Sequence, residues 1–211
     1  MSYLTLDMLR QEFGLRPTTA HDFFPEWMDP QTTVTDLEKQ RLDQVKAHFV
    51  YLSQILPLME DAIKMVVISP LLELAGFYQE PFHLKTEAST TVISVDEETV
   101  IRGQIDALVA LDNLWVVVIE AKNMGISLTA GIPQALGYML AAPKEERSSF
   151  GMVTNGSEFT FLKLQRSPEP TYTSSRVFSM LSPINELYDV LQILKALGTI
   201  AQHQHGGEQG H

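Results

Sequence analysis

Three residues near the middle of the chain have the types and spacing for chemistry: Asp106, Glu120 and Lys122. They fall within residues 101–122 (IRGQIDALVALDNLWVVVIEAK), which read as a strand, a tight turn and a second strand. Val116, Val117, Val118 and Ile119 form an unbroken apolar run, as in a strand buried on both faces in the middle of a sheet. That run leads straight into a carboxylate, a small residue and an amine. Charged side chains are seldom buried unless they are paired or bind a metal. Ala121 separates Glu120 from Lys122, so strand alternation sends both side chains to one side. Two carboxylates brought close repel unless one is protonated or a cation lies between them. An all-oxygen pair with spare positions suits Mg²⁺ or Mn²⁺ rather than zinc. A neighbouring amine can orient a water, donate to a phosphate oxygen or offset charge in a transition state. Together the parts suit metal-assisted hydrolysis of a phosphodiester. The alternative is a buried lysine–carboxylate pair that only ends a strand, and the spacing alone leaves both open.

Whether Asp106 reaches Glu120 depends on the turn. With a two-residue loop, Leu111 opposes Leu114, Asp106 meets Ile119, and Glu120 faces away. With a three-residue loop or a bulge, Leu111 opposes Trp115 and Asp106 meets Glu120, the Cα atoms about 4.5–5.5 Å apart. The metal reading therefore predicts an odd-length turn.

The elements that must hold this stretch can be read around it. A helix over residues 4–13 stops at Gly14. Residues 21–30 are aromatic and proline-containing, an irregular segment whose Phe23, Phe24 and Trp27 belong to the core rather than to a base-stacking platform. Thr35 and Glu38 form a capping box that opens a helix over 36–56, its apolar stripe including Leu37, Val45, Phe49 and Leu52. A second helix covers 58–77, kinked or divided at Pro70, with Glu60 and Lys64 at ion-pair spacing. Strands are expected over 82–95, 100–111 and 114–122, with an acidic turn at 96–98. Pro133 opens a helix ending before Pro143, and it carries Gln134 and Tyr138 on one face. A hairpin over 150–164 turns at Asn155-Gly156. A short edge strand at 175–180 and a closing helix at 185–197 follow. This order gives an α/β (α+β) class, a mixed central sheet flanked by helices. The domain reading is an N-terminal helical extension (1–57) packed on the core, a main domain (58–200), and a disordered tail (201–211). His203, His205 and His211 are read there as solvated rather than metal-binding.

Hydrophobic residues make up 45% of the chain and charged ones 19%, an ordinary globular balance. With no cysteine, disulfides, thiolate zinc sites and cysteine nucleophiles are excluded. The N-terminus lacks a signal-peptide pattern and the apolar run at 65–69 is too short to span a bilayer, so a cytoplasmic protein without membrane contact is expected. The net charge of −11 opposes unaided nucleic-acid binding. It is uneven: residues 1–99 hold 7 Lys/Arg against 16 Asp/Glu, and residues 100–200 hold 8 against 9. The half with the candidate cluster is nearly neutral. Arg102 can be read as a phosphate contact or as an edge residue in solvent.

Asp106 followed by Glu120-Ala121-Lys122 resembles the signature of the PD-(D/E)xK nuclease superfamily. Gln134-x-x-x-Tyr138 resembles the Q-x-x-x-Y element of RecB-like nucleases and of the nuclease region of type I restriction enzyme R subunits. Residues 150–156 (FGMVTNG), with Phe159 and Phe161, resemble the strand pair that follows in the R-subunit group. Glu60 matches the acidic residue which that group contributes from its first core helix. The resemblance covers residues 58–165, and the N-terminal helices are similar to those of stand-alone cyanobacterial proteins of this type. Gln104-Ile105 departs from the proline of the signature. No G-x-x-x-x-G-K-[ST] loop is present, so no helicase motor or ATP site is expected.

The resemblance implies a restriction-endonuclease-like core: a helix, a mixed sheet, a helix on the same side, and further strands. It implies that Asp106, Glu120 and the Ala121 carbonyl ligate Mg²⁺ (or Mn²⁺), that Lys122 positions the attacking water, and that Glu60 holds a metal-bound water. Gln134 and Tyr138 then order the site or touch the DNA backbone. The implied activity is metal-dependent DNA endonuclease, with a restriction-modification or other protein partner and a homodimer both left open. The competing expectation is a catalytically inactive nuclease-fold module that binds nucleic acid or a partner protein, which the acidic N-terminal half favours. A carboxylate-pair glycosidase fits Lys122 and the buried strand poorly.

Overall fold

Hydrophobic periodicity and its punctuation account for most element boundaries. The computed structural model describes residues 4–93, 100–112, 114–142 and 148–208. Helix α1 (Leu6–Phe13) starts at Thr5, whose hydroxyl accepts the Met8 N–H, and stops at Gly14, where φ is 68°; that left-handed conformation favours glycine. Strand β1 (Arg16–Pro17) and the short α2 (Pro25–Met28) lead to α3 (Asp36–Ser53), which opens on a complete Thr35–Glu38 capping box. The buried stripe of α3 is Leu42, Val45 and Phe49. Leu37, expected in that stripe, is 70% exposed. At about 100° per residue it lies well round the helix from Leu42 and Val45.

Next come α4 (Glu60–Ile63), a π-helical segment (Lys64–Ile68) and α5 (Ser69–Leu74), continuous along the chain. Pro70 has no N–H for the Val66 carbonyl. The helix widens just before it, and the Ser69 N–H bonds the Lys64 carbonyl five residues back. The proline thus marks a π-segment where a kink or break was expected.

Strands β2 (Phe82–Ile93), β3 (Val100–Leu111) and β4 (Leu114–Ala121) precede α6 (Ile132–Leu140). The acidic turn expected at 96–98 lies outside the described residues. Strands β5 (Ser148–Thr154), β6 (Glu158–Gln165), β7 (Thr171–Ser174) and β8 (Phe178–Ser179) precede α7 (Leu187–Glu208). Helix α7 runs past the expected start of a disordered tail at 201, and Ala201 is buried against the core.

The sheet order is β1-β7-β6-β5-β4-β3-β2, with β8 also pairing β6. The β4–β5 and β1–β7 pairs are parallel and the others antiparallel. The fold is therefore a mixed sheet flanked by helices, as expected. Ala107, Val109, Val117 and Ile119 face one core with Phe49 of α3, Leu71 of α5 and Leu191 of α7. Leu108, Val118 and Val153 face a second core with Leu9 of α1 and Leu136 and Met139 of α6. The α5 and α6 helices thus lie on opposite faces, correcting the expectation of one side. The reason is topological: α6 is the crossover between parallel β4 and β5, and it returns on the face that α5 leaves free. Among the described residues, no helix is long and apolar enough to cross a membrane.

Candidate functional site

The β3–β4 connection is tight, with Leu111 opposite Leu114 and Ala110 opposite Trp115. The register then shifts, and Val109, Leu108 and Ala107 pair with Val117, Val118 and Ile119. Val116 is the extra residue of a bulge. Of the two routes expected from sequence, the three-residue loop does not occur and the bulge does: an even turn followed by a bulge makes the one-residue shift. Continued by one pair, the register sets Asp106 against Glu120.

That next pair is where the strands part. Ala107–Ile119 is the last β3–β4 pair, while β3 goes on with β2 and β4 goes on with β5 as far as Ala121–Thr154. In the fork, Asp106 Oδ2 accepts the Ala121 N–H at 2.8 Å. The side chain thereby satisfies a strand N–H that the ladder no longer pairs.

On the α6 side, Glu120 is 1% exposed. Its Oε1 accepts from Lys122 Nζ at 2.5 Å, and its Oε2 has no partner. Lys122 Nζ also donates to Gln134 Oε1 at 2.9 Å, and Gln134 Nε2 donates to the Tyr138 hydroxyl at 2.8 Å. Two glycines make room for this relay. A Cβ on Gly103 would stand 2.4 Å from the Tyr138 ring. A Cβ on Gly131, at the start of α6, would stand 2.7 Å from Val153 and 3.3 Å from Lys122 Cε.

On the other side, Lys64 reaches in from the π-segment. Its Nζ lies 2.8 Å from Asp106 Oδ1, 2.9 Å from Glu87 Oε1 and 3.5 Å from Asp61 Oδ1. The Glu60–Lys64 pair expected from helical spacing is not formed, because the sheet carboxylates take the ammonium. Glu60 begins α4 with its backbone N–H bonded to Asn123 Oδ1 at 2.9 Å. Its charge is close enough to act on Glu120 and Lys122. Glu87 falls between the Thr86–Ala107 and Ala88–Ile105 pairs, across from Asp106, and has a φ of 52°. A non-glycine residue in that region within a strand is strained.

Burial pushes the Glu120 carboxyl up to about 7; the bond to Lys122 opposes this, and the charges of Asp106 and Glu60 reinforce it. Burial alone would lower Lys122, but its bond to Glu120 and the nearby acids raise it. Lys64 is likewise raised by its bonds to Asp106 and Glu87 in spite of burial. Burial also raises Tyr138.

The structure therefore gathers Asp106, Glu120, Ala121, Lys122, Gln134 and Tyr138 around the fork, with Glu60 beside them. Among the described residues, no group of three or more histidines and acids stands in metal-holding geometry. Asp106 and Glu120 remain a pair. Sequence reasoning missed Lys64, Glu87 and Asn123 as neighbours of the site. Only Gly103 carried a visible signal, since a glycine inside a strand often marks a close approach.

No protein-family model and no curated protein matches the sequence. Among solved structures, the chain is similar to a fragment assigned to the HsdR subunit of a type I restriction enzyme from Vibrio vulnificus YJ016. The TM-score is 0.41 at 18% identity, and the match covers 65% of this chain and 26% of that one. The chain thus spans about a quarter of that structure's length.

Proposed function

We propose that the chain is a Mg²⁺- or Mn²⁺-dependent nuclease module of the PD-(D/E)xK type, hydrolysing DNA phosphodiester bonds at the β3–β4 fork. One observation carries the reading. Glu120 is buried with Oε1 held by Lys122 and Oε2 unpartnered, at the register position across from a second carboxylate, Asp106. Two carboxylates so placed, one of them buried with a free oxygen, suit a cation between them. Asp106, Glu120 and the Ala121 carbonyl form an all-oxygen set, and two carboxylates completed by water are the usual seat of Mg²⁺. A hard divalent ion held there supplies Lewis acidity and a more acidic bound water.

The chain's own residues supply the rest. A lysine ammonium has three donors. Lys122 gives one to Glu120 and one to Gln134, which leaves one for a water or a phosphate oxygen. Gln134 accepts from Lys122 and donates to Tyr138, so its amide orientation is determined, and with it the direction of the third Lys122 donor. Buried Tyr138 is an ordering residue in this scheme. Glu60 adds negative charge where a metal-bound water would sit. Residues 58–200 form the nuclease unit in this proposal and 1–57 its extension.

A second reading has one observation in its favour. Lys64 already neutralises Asp106, as in a nuclease-fold module that binds nucleic acid or a protein without cutting. The test is cleavage of plasmid and single-stranded DNA with Mg²⁺ or Mn²⁺, beside Asp106→Ala and Lys122→Ala. Metal-dependent cleavage lost in both variants is the expected result. Cleavage that persists in both removes the site assignment, and no cleavage by the unmodified chain favours the second reading.

A further inference from the structure

Resting on the metal-site reading, we propose that Lys64 is a built-in competitor of the divalent cation. Its ammonium occupies Asp106 in the metal-free protein and withdraws onto Glu87 and Asp61 when the ion binds. Asp106 Oδ2 accepts the Ala121 N–H, so Oδ1 is the oxygen with more lone-pair capacity for a metal. Oδ1 is also the atom that Lys64 Nζ approaches at 2.8 Å. An ammonium and a divalent ion sharing one oxygen repel, so the two states exclude each other.

The route of withdrawal is laid out in carboxylates of rising exposure. The Asp106 side chain is 13% exposed, Glu87 52% and Asp61 94%. All three already lie within ion-pair distance of Lys64, so the ammonium leaves the fork without losing a partner. Each step moves it toward water, where the cost of burying it falls. Glu87 holds its carboxylate there from a left-handed backbone conformation in the middle of β2. Lys64 itself starts the π-segment that Pro70 imposes. The charge balance fits the exchange: with the ion at the fork, Lys122 and the ion face Asp106, Glu120 and Glu60, while Lys64 stays matched to Glu87.

The test is Mn²⁺ binding to the full, chelator-stripped chain by calorimetry, which needs no DNA and no turnover. Lys64→Met is expected to bind Mn²⁺ at least tenfold more tightly than the unmodified chain, and Lys64→Arg to bind no more tightly. Glu87→Gln is expected to bind several-fold more weakly, because the displaced ammonium loses its nearer seat. That weakening should vanish when Glu87→Gln is combined with Lys64→Met. Lys39→Met, which removes a charge on α3, controls for net charge and should leave affinity unchanged. If Asp106→Asn abolishes Mn²⁺ binding but Lys64→Met binds no more tightly than the unmodified chain, the competitor proposal fails and the metal site stands. If neither the unmodified chain nor Lys64→Met binds Mn²⁺, the metal-site reading fails and takes the proposal with it. A circular-dichroism melt of each metal-free variant shows that it is folded.

Discussion

Lys122 and Lys163 both enter a buried ion pair with glutamate, and the two surroundings could hardly differ more. Lys163 of β6 lies 2.6 Å from Glu26 of α2, and Lys122 lies 2.5 Å from Glu120 at the end of β4. In each pair the second carboxylate oxygen is buried without a partner. Around Lys163 the neighbours are aromatic: the Phe23, Phe24 and Phe150 rings have centroids 5.8, 6.0 and 5.7 Å from its Nζ. One base meets one acid, and the pair pins α2 to the sheet. Around Lys122 the neighbours are polar, and the fork holds more acids than bases. A buried lysine–glutamate pair with an orphan oxygen is therefore not by itself a functional signal. The surplus of acid and the relay through Gln134 to Tyr138 are what separate the fork from a structural pin.

The largest effects should fall on opposite sides of this comparison. Asp106→Ala and Lys122→Ala are each expected to lower the rate of metal-dependent cleavage about 10³-fold, the scale of removing one transition-state contact. Lys163→Met should leave the rate per folded molecule unchanged; a loss there equal to that of Lys122→Ala would erase the distinction. Stability should show the reverse. Lys163→Ala leaves Glu26 buried and unpaired and should cost about 3–5 kcal/mol in a urea melt. Lys163→Met keeps that volume among the rings, but it too leaves Glu26 uncompensated. The double variant Lys163→Met/Glu26→Gln should recover most of the loss, since replacing both members of a buried pair is often close to neutral.

How much of this was legible in the sequence divides along local and non-local lines. Glu120 and Lys122 share a side because alternation is local, and Gln134 and Tyr138 share a face because helical spacing is local. The meeting of Asp106 with Glu120 was legible only as a condition. Nothing in Val116-Val117-Val118 marks which valine bulges, since the three are chemically identical. Spacing pointed Lys64 to Glu60, four residues back. Besides Asp61 three residues back, the partners it takes are Asp106 and Glu87, from strands that only the tertiary fold brings there. The Lys163 cage was equally hidden, because its rings come from two separate earlier segments, Phe23-Phe24 and Phe150.

A smaller effect follows from pH. The Glu120 carboxyl is raised from 4.5 to about 7 in the folded chain. Between those values the folded state holds a proton that the unfolded state has released, so stability falls as pH rises through that window. Above about pH 7 the penalty is fully present, and below about 4.5 it is gone. The shift corresponds to about 3 kcal/mol at most. Melts of the metal-free chain across pH 5–8 should show the decline, and Glu120→Gln should flatten it. A decline that survives Glu120→Gln would remove Glu120 as its source.

The smallest expected change tests whether the relay matters at all. Tyr138→Phe removes the hydroxyl that accepts from Gln134 Nε2 and leaves the ring packed against Gly103. A neutral hydrogen bond contributes about 1 kcal/mol to stability, so a small fall in the urea midpoint is expected, together with a loss of roughly fivefold in kcat from the less firmly aimed lysine. Gln134 keeps its oxygen toward the Lys122 ammonium but is then held at one end only, so it aims the third Lys122 donor less firmly. A fall in kcat with KM unchanged is the signature of a misdirected Lys122. If Tyr138→Phe loses only stability, the relay is packing, and the fork differs from the Lys163 pin only in its excess of acid.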